Sequence, residues 1–214
     1  MTEQPLVTAV VVGPLQVNCF IVACPETHDA LVIDPGDDGP QILAALRAGS
    51  WRTVAIVNTH GHFDHIGANR SLVEATAAEL LIHELDLPLL QRAQLHAQLY
   101  GLQAEPSPLP DRLLHDGEQI ACGSLSFRVI HLPGHSPGGI ALLCGAHLFA
   151  GDVLFAGSIG RTDLPGGDHR TLVEGIRNRL WCLPGETIVH PGHGPDTTIA
   201  REMRSNPYVA GTTD

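Results

Sequence analysis

Apolar runs separated by short Gly- and Pro-containing turns set the rhythm of this chain. Residues 7–12, 17–23 and 30–34 are strand-like, and DPGDDG (34–39) is a turn. Ile42, Leu43 and Leu46 then recur at helical spacing. TVAIVNT (53–59) is a continuous apolar run, the pattern of a strand buried on both faces. The pattern predicts a helix over 67–79, a strand over AELLIH (78–83) and a helix over 86–101 that stops at Gly101. A Pro-rich loop, AEPSPLPD (104–111), comes next. LSFRVIHL (125–132) alternates apolar and polar positions, and IALLCGAHLFAGD (140–152) reads as a hairpin ending at Asp152. Residues 168–182 predict an amphipathic helix with Asp168 as N-cap and Leu172, Ile176 and Leu180 on one stripe. TIVHPGHG (187–194) supplies a final strand.

Composition narrows the class. At 214 residues and 43% hydrophobic content, one domain with a sizeable core is expected over 1–214. A net charge of −11 argues against nucleic acid, because a phosphate-tracking surface needs clustered positive charge. All 12 basic side chains besides histidine are Arg, so an anionic substrate group must meet Arg, His, backbone amides or metal. The apolar stretch 6–24 approaches membrane-span length, but Pro14, Gln16 and Asn18 interrupt it, and two strands around a turn fit it better. No membrane association is expected, and without a basic N-terminal region no signal peptide, so the expected location is cytoplasmic. The five cysteines (Cys19, Cys24, Cys122, Cys144, Cys182) lack metal spacing and read as buried free thiols.

Chemistry concentrates in THGHFDHIG (59–67). His60, His62, Asp64 and His65 fall within six residues there. Residues two apart in an extended segment point to the same side, so His60 and His62 can converge on one ion. Asp64 and His65 follow where a helix is expected to begin, turned toward a second ion. His135 in HLPGHSPGG, Asp152 in FAGDVLF and His193 in HPGHGP supply further ligand types, each just past an apolar run. Seven imidazole and carboxylate groups are enough for two ions with open positions, and they suit Zn, Fe or Mn.

The HxHxDH cluster, the later isolated His, the Asp after an apolar run and the final His in PGHG resemble the metallo-β-lactamase superfamily. GSIGRTDLPGGDH (157–169) and RSNPYV (204–209) resemble its single-domain glyoxalase II-like (hydroxyacylglutathione hydrolase-like) branch. The resemblance spans roughly residues 8 to 209. It implies an αββα sandwich of α/β class, two mixed sheets flanked by helices, with metals at one edge. It implies that His60, His62 and His135 hold one ion, that Asp64, His65 and His193 hold another, and that Asp152 bridges them. Two divalent ions are implied as cofactors, Zn first, Fe or Mn as alternatives, with Asp64 and Asp152 as catalytic residues beside a metal-bridged hydroxide.

The reaction implied is hydrolysis of S-lactoylglutathione or a related acyl thioester, as in methylglyoxal detoxification. A thiolate with pKa near 8.5 leaves readily, so a thioester needs little acid assistance. The helical C-terminal domain that grips glutathione in two-domain glyoxalase II enzymes has no counterpart after His193, so the partner is a small-molecule thioester, glutathione-derived or otherwise. Monomer and homodimer both stay open. Alternatives are a mononuclear-iron persulfide dioxygenase, a non-catalytic metal-binding module and, against the GRTD segment, a β-lactamase. Arg161 resembles a loop Arg that meets a substrate carboxylate; pairing with Asp163 or Asp168 is the competing role. Asn18, His83 and Tyr100 with the 102–111 loop are further candidates for the surroundings of the site.

Overall fold

Residues 4–210 are described by the computed structural model; the expected domain limits at 1 and 214 lie outside them. The first sheet takes its strands in chain order: β1 (Leu6–Val12), β2 (Val17–Ala23), β3 (Asp29–Ile33), β4 (Arg52–Val57), β5 (Glu79–His83) and β6 (Arg112–Leu114). Pairing is antiparallel through β1, β2 and β3 and parallel from β3 to β6. Tight turns join the antiparallel strands. The parallel ones need crossovers, which α1 (Gly39–Ala48), α2 (Phe63–Ile66), α3 (Asn69–Thr76), α4 (Leu87–Gln91) and α5 (Ala93–Leu99) provide.

The second sheet contains β7 (Gln119–Cys122), β8 (Leu125–His131), β9 (Ile140–Cys144), β10 (His147–Gly151), β13 (Ile188–Pro191) and β14 (Thr197–Thr198), ordered β14-β13-β10-β9-β8-β7. Between them in sequence lie a small hairpin, β11 (Leu154–Phe155) with β12 (Ser158–Ile159), and α6 (His169–Gly175); α7 (Ile199–Ser205) closes the described chain. Strand alternation explains the layers. Phe20, Val22, Leu31 and Val57 of the first sheet meet Phe127, Val129, Leu142 and Phe149 of the second in the central core. The opposite faces are covered, Ile21 and Ile56 by α1 and α3, and Ile130 and Leu148 by α6 and α7. The architecture is the expected αββα sandwich of two mixed sheets.

Several elements differ from the sequence pattern. The helix expected over 67–79 begins earlier, as α2, and breaks at Gly67–Ala68, where Ala68 N donates to the Pro35 carbonyl at 2.9 Å instead of continuing the helical ladder. The helix expected over 86–101 divides at Arg92 and is preceded by a single 3₁₀ turn, Glu84–Asp86. Asp168 does cap its helix, accepting from Thr171 N at 2.7 Å, but after Gly175 the turns widen to a π-helix over Ile176–Leu180. Cys182 is exposed, unlike the other four thiols. The 6–24 stretch is indeed two paired strands, and no helix among the described residues is long and apolar enough to cross a membrane.

Candidate metal centre

β4 ends at Val57, and the chain then turns through Asn58 and Thr59 into the 60–65 cluster at the carboxyl edge of the first sheet. The loops after β8, β10 and β13 bring His135, Asp152 and His193 to the same edge. His60 Nε2 and His62 Nδ1 approach His135 Nε2 to 3.3 and 2.9 Å, and these three rings form one buried group. Asp64, His65 and His193 form a second group, with Asp64 Oδ2 3.7 Å from His65 Nε2 and 3.4 Å from His193 Nε2. Asp152 stands between the groups. Its Oδ1 lies 3.5 Å from His65 Nε2, and its Oδ2 lies 3.7 Å from both His135 Nε2 and His193 Nε2. All seven predicted ligand residues therefore meet at one place.

The far nitrogens of four of these rings are engaged, which fixes their tautomers. His65 Nδ1 donates to Asp34 Oδ2 at 3.0 Å, and His60 Nδ1 donates to Thr59 Oγ1 at 3.1 Å, whose own proton goes to Asp34 Oδ2. His135 Nδ1 donates to the Arg161 carbonyl at 2.7 Å and His193 Nδ1 to the Leu15 carbonyl at 3.0 Å. Each Nε2 lone pair is left facing the centre, the arrangement that metal-ligating histidines require. Two buried polar atoms, His65 Nε2 and Asp152 Oδ1, have no hydrogen-bond partner. Buried atoms of this kind are costly to leave unsatisfied, and a cation between them satisfies both. The donor set fits divalent metal.

The charges agree. Burial pushes His62 down to about 3, with His135 adding to the effect, and burial with the neighbouring imidazoles takes His60 well below its ordinary range. Both rings therefore keep their lone pairs at neutral pH. Burial also opposes the charged form of His65, yet Asp152, Asp64 and Asp34 outweigh it and raise the ring to about 10. Burial opposes ionisation of Asp64 too, but His65 and His193 hold its carboxyl well below the usual range. A positive charge is favoured where the three carboxylates converge.

Two positioning residues carry no motif signal. Asp34 holds φ +50° immediately before Pro35, a backbone position uncommon for a non-glycine, and spends its carboxylate on Thr59 N (2.7 Å), Thr59 Oγ1 (2.6 Å) and His65. Asp86, fully buried, accepts from Gly61 N, Ser136 Oγ and Gly138 N, and so ties the His60 loop to the His135 loop. Gly192 is required by contact: a Cβ there would strike the Asp152 carboxylate and the His65 ring.

Other candidates resolve differently. Asn18 sits by the site but bonds backbone, donating to the Pro191 and Gly194 carbonyls at 3.0 and 2.8 Å and so anchoring the PGHG turn. His83 stacks on His131 and accepts from Leu85 N, away from the ligands. The Arg161 guanidinium makes a bidentate pair with Asp163, 2.8 Å on each arm, while its carbonyl orients His135. A cleft of about 320 Å³ opens beside the centre; Tyr100 lines it, as does His96, which the sequence did not single out.

A family model described as the metallo-beta-lactamase superfamily matches residues 12–196. Hydroxyacylglutathione hydrolase GloC of Haemophilus influenzae is 37% identical over 202 residues, 92% of this chain and 95% of that one. Among solved structures, BLEG-1 B3 metallo-beta-lactamase superposes with a TM-score of 0.90 at 37% identity, covering 96% of this chain and 100% of its own. TTHA1623 in a di-iron-bound form superposes at 0.87 with 46% identity, covering 94% and 99%.

Proposed function

The chain belongs to the metallo-beta-lactamase superfamily, and from that premise we propose that it is a metal-dependent hydrolase of acyl thioesters. The carrying observation is that the Asp152 carboxylate lies within 3.7 Å of ring nitrogens from both groups, with His65 Nε2 and Asp152 Oδ1, both without a hydrogen-bond partner, 3.5 Å apart between them. His60, His62 and His135 would hold one ion, Asp64, His65 and His193 the other, and Asp152 both; the di-iron form of TTHA1623 supports a two-ion occupancy. When bound, such ions supply Lewis acidity and a water acidified toward neutrality.

The side chains explain the rest. No Ser, Thr, Cys or Lys lines the cleft among the described residues, so those covalent nucleophiles are not at hand, and attack by water is the step the reading adopts. Asp64 stays ionised, held against burial well below the usual carboxylate range by His65 and His193, so its carboxylate would serve as a ligand and hydrogen-bond acceptor beside the second ion and not as the general base. Asp34 keeps His60 and His65 from rotating, and Asp86 keeps the two loops at a fixed separation. The leaving thiolate needs no acid. The likeness to GloC supports the thioester reading.

The test is hydrolysis of S-lactoylglutathione and of a neutral acyl thioester, followed by loss of thioester absorbance, with metal content measured on the same sample. Turnover with about two ions per chain is the expected result. No turnover with about one iron per chain would replace this reading with the persulfide dioxygenase. A second reading, hydrolysis of a β-lactam amide, is favoured by the similarity to BLEG-1; a chromogenic cephalosporin separates it, and turnover of that compound alone would displace the thioesterase.

A further inference from the structure

Away from the candidate ligands, the lining of the cleft is mostly apolar. Phe63 and Tyr100, their ring centroids 5.7 Å apart, stand with Leu99 on one side; Leu15, Leu89 and Leu164 complete it. Leu99 is 77% exposed and Tyr100 52%, at the tip of α5. Large apolar groups left open at a cleft mouth lose contact with water only when something covers them, and an apolar ligand body gains affinity with each methylene it buries there.

Cations are the missing component. Apart from the ligand histidines, the lining offers only His96 and Arg161 as bases. Asp163 takes the Nε/Nη2 edge of the Arg161 guanidinium, at 2.8 Å on each arm, so its charge is already paired and only the Nη1 side is left to meet a carboxylate. Across Leu15, Phe63 and Asp64, an adjoining hollow of about 480 Å³ carries Asp37, Asp38 and Glu105 and no basic residue. A thiol arm with two free carboxylates would meet a neutralised arginine on one side and an acidic wall on the other.

We propose that this cleft selects thioesters with an apolar acyl body and an uncharged thiol arm, and disfavours the dicarboxylate arm of glutathione. The chemistry rests on the thioesterase reading; the binding preference does not. Two measurements keep them apart. With metal-loaded protein, S-hexanoyl-N-acetylcysteamine is expected to exceed S-lactoylglutathione in kcat/KM by roughly tenfold or more. By calorimetry, the uncleavable thioether S-hexyl-N-acetylcysteamine is expected to bind more tightly than S-hexylglutathione, which has the same apolar body.

Equal or stronger binding of the glutathione thioether would overturn the inference while leaving a thioesterase intact. Preferential binding of the neutral thioether without hydrolysis of any thioester would remove the thioesterase and keep the cleft assignment. Two surface variants sharpen it. Asp163→Asn frees the Arg161 fork and is expected to lower KM for S-lactoylglutathione several-fold with kcat little changed. Leu99→Ser is expected to raise KM for the hexanoyl thioester several-fold and spare the lactoyl one. Unchanged selectivity in both variants would refute the assignment of specificity to these walls.

Discussion

The two ligand groups at the sheet edge lie side by side and have opposite electrostatics. His60, His62 and His135 form an all-imidazole group, almost wholly buried, in which burial keeps His60 and His62 neutral. Asp64, His65 and His193 surround one imidazole with carboxylates and are more open, His193 being 29% exposed. The first group offers lone pairs without charge. The second offers negative charge, and a proton on His65 competes for the place of a cation. The first group would hold an ion through neutral lone pairs alone, whereas the second would add charge and lies closer to water. Asp152 stands between them, 3.5 Å from His65 Nε2 and 3.7 Å from His135 Nε2 and His193 Nε2.

The most damaging change is therefore Asp152→Ala. It removes the carboxylate between the groups, leaving the first with no counter-charge and the second with Asp64 alone. Hydrolysis is expected to fall by roughly 10³-fold or more, about 4 kcal/mol of barrier, and bound metal to drop at both groups. Retention of either metal complement or turnover would break the bridging assignment.

Asp64→Ala separates the groups. It removes the group's own carboxylate, so the second ion should be lost and the first kept, with hydrolysis reduced roughly 10²-fold or more and the unfolding midpoint little changed. Metal analysis and circular dichroism on one sample check both halves. A variant with unchanged turnover would end the two-ion mechanism.

Asp34→Asn probes support rather than ligation. Asparagine is near-isosteric but cannot accept from both His65 Nδ1 and Thr59 as a carboxylate does. Metal affinity is expected to fall roughly 10- to 100-fold, more at the second group, which Asp34 touches directly, than at the first, which it reaches through Thr59. Competition titration with a chromogenic chelator distinguishes two unequal losses from a uniform one.

The contrast between ligand and support also marks what the sequence could reveal. His60, His62, Asp64 and His65 are legible because a strand and the first turn of a helix place neighbours in sequence on one target. The order of strands in each half is legible because apolar runs and turn residues alternate regularly. Asp34 and Asp86 are not, since their partners lie 25 to 52 positions away and their local contexts, DPGDDG and HELDLP, have an adequate explanation as turns. The fate of Arg161 was equally closed to inspection: two acidic neighbours in the same loop were both plausible, and only the fold shows that Asp163 takes it. The helix break after Gly67 arises from a tertiary bond, Ala68 N to the Pro35 carbonyl, which overrides local periodicity. The small strands β6, β7 and β14 are too short to leave an alternation.

The gentlest way to sharpen the comparison reaches only the all-imidazole side, through the turn that presents Asp86. His83 Nδ1 accepts from Leu85 N and so caps the 3₁₀ turn Glu84–Asp86, from which Asp86 fastens the His60 and His135 loops. Burial, with stacked His131 beside it, lowers the His83 ring from its ordinary value to about 4. Above about pH 6.5 the ring is neutral in both folded and unfolded chains, and its contribution is complete. As pH falls below that value the unfolded chain takes up a proton that the folded one refuses, so stability is lost progressively down to about 4, where the folded ring also protonates. Asparagine keeps an oxygen to accept from Leu85 N but does not titrate. His83→Asn is expected to flatten the dependence of the unfolding temperature on pH between about 6.5 and 4, a difference on the order of 1–2 kcal/mol. Retention of metal at His60, His62 and His135 should extend to lower pH in the variant, while the Asp64 group should lose its ion at the same pH in both proteins. Parallel stability curves would show that the strap at Asp86 is indifferent to the ring that caps it.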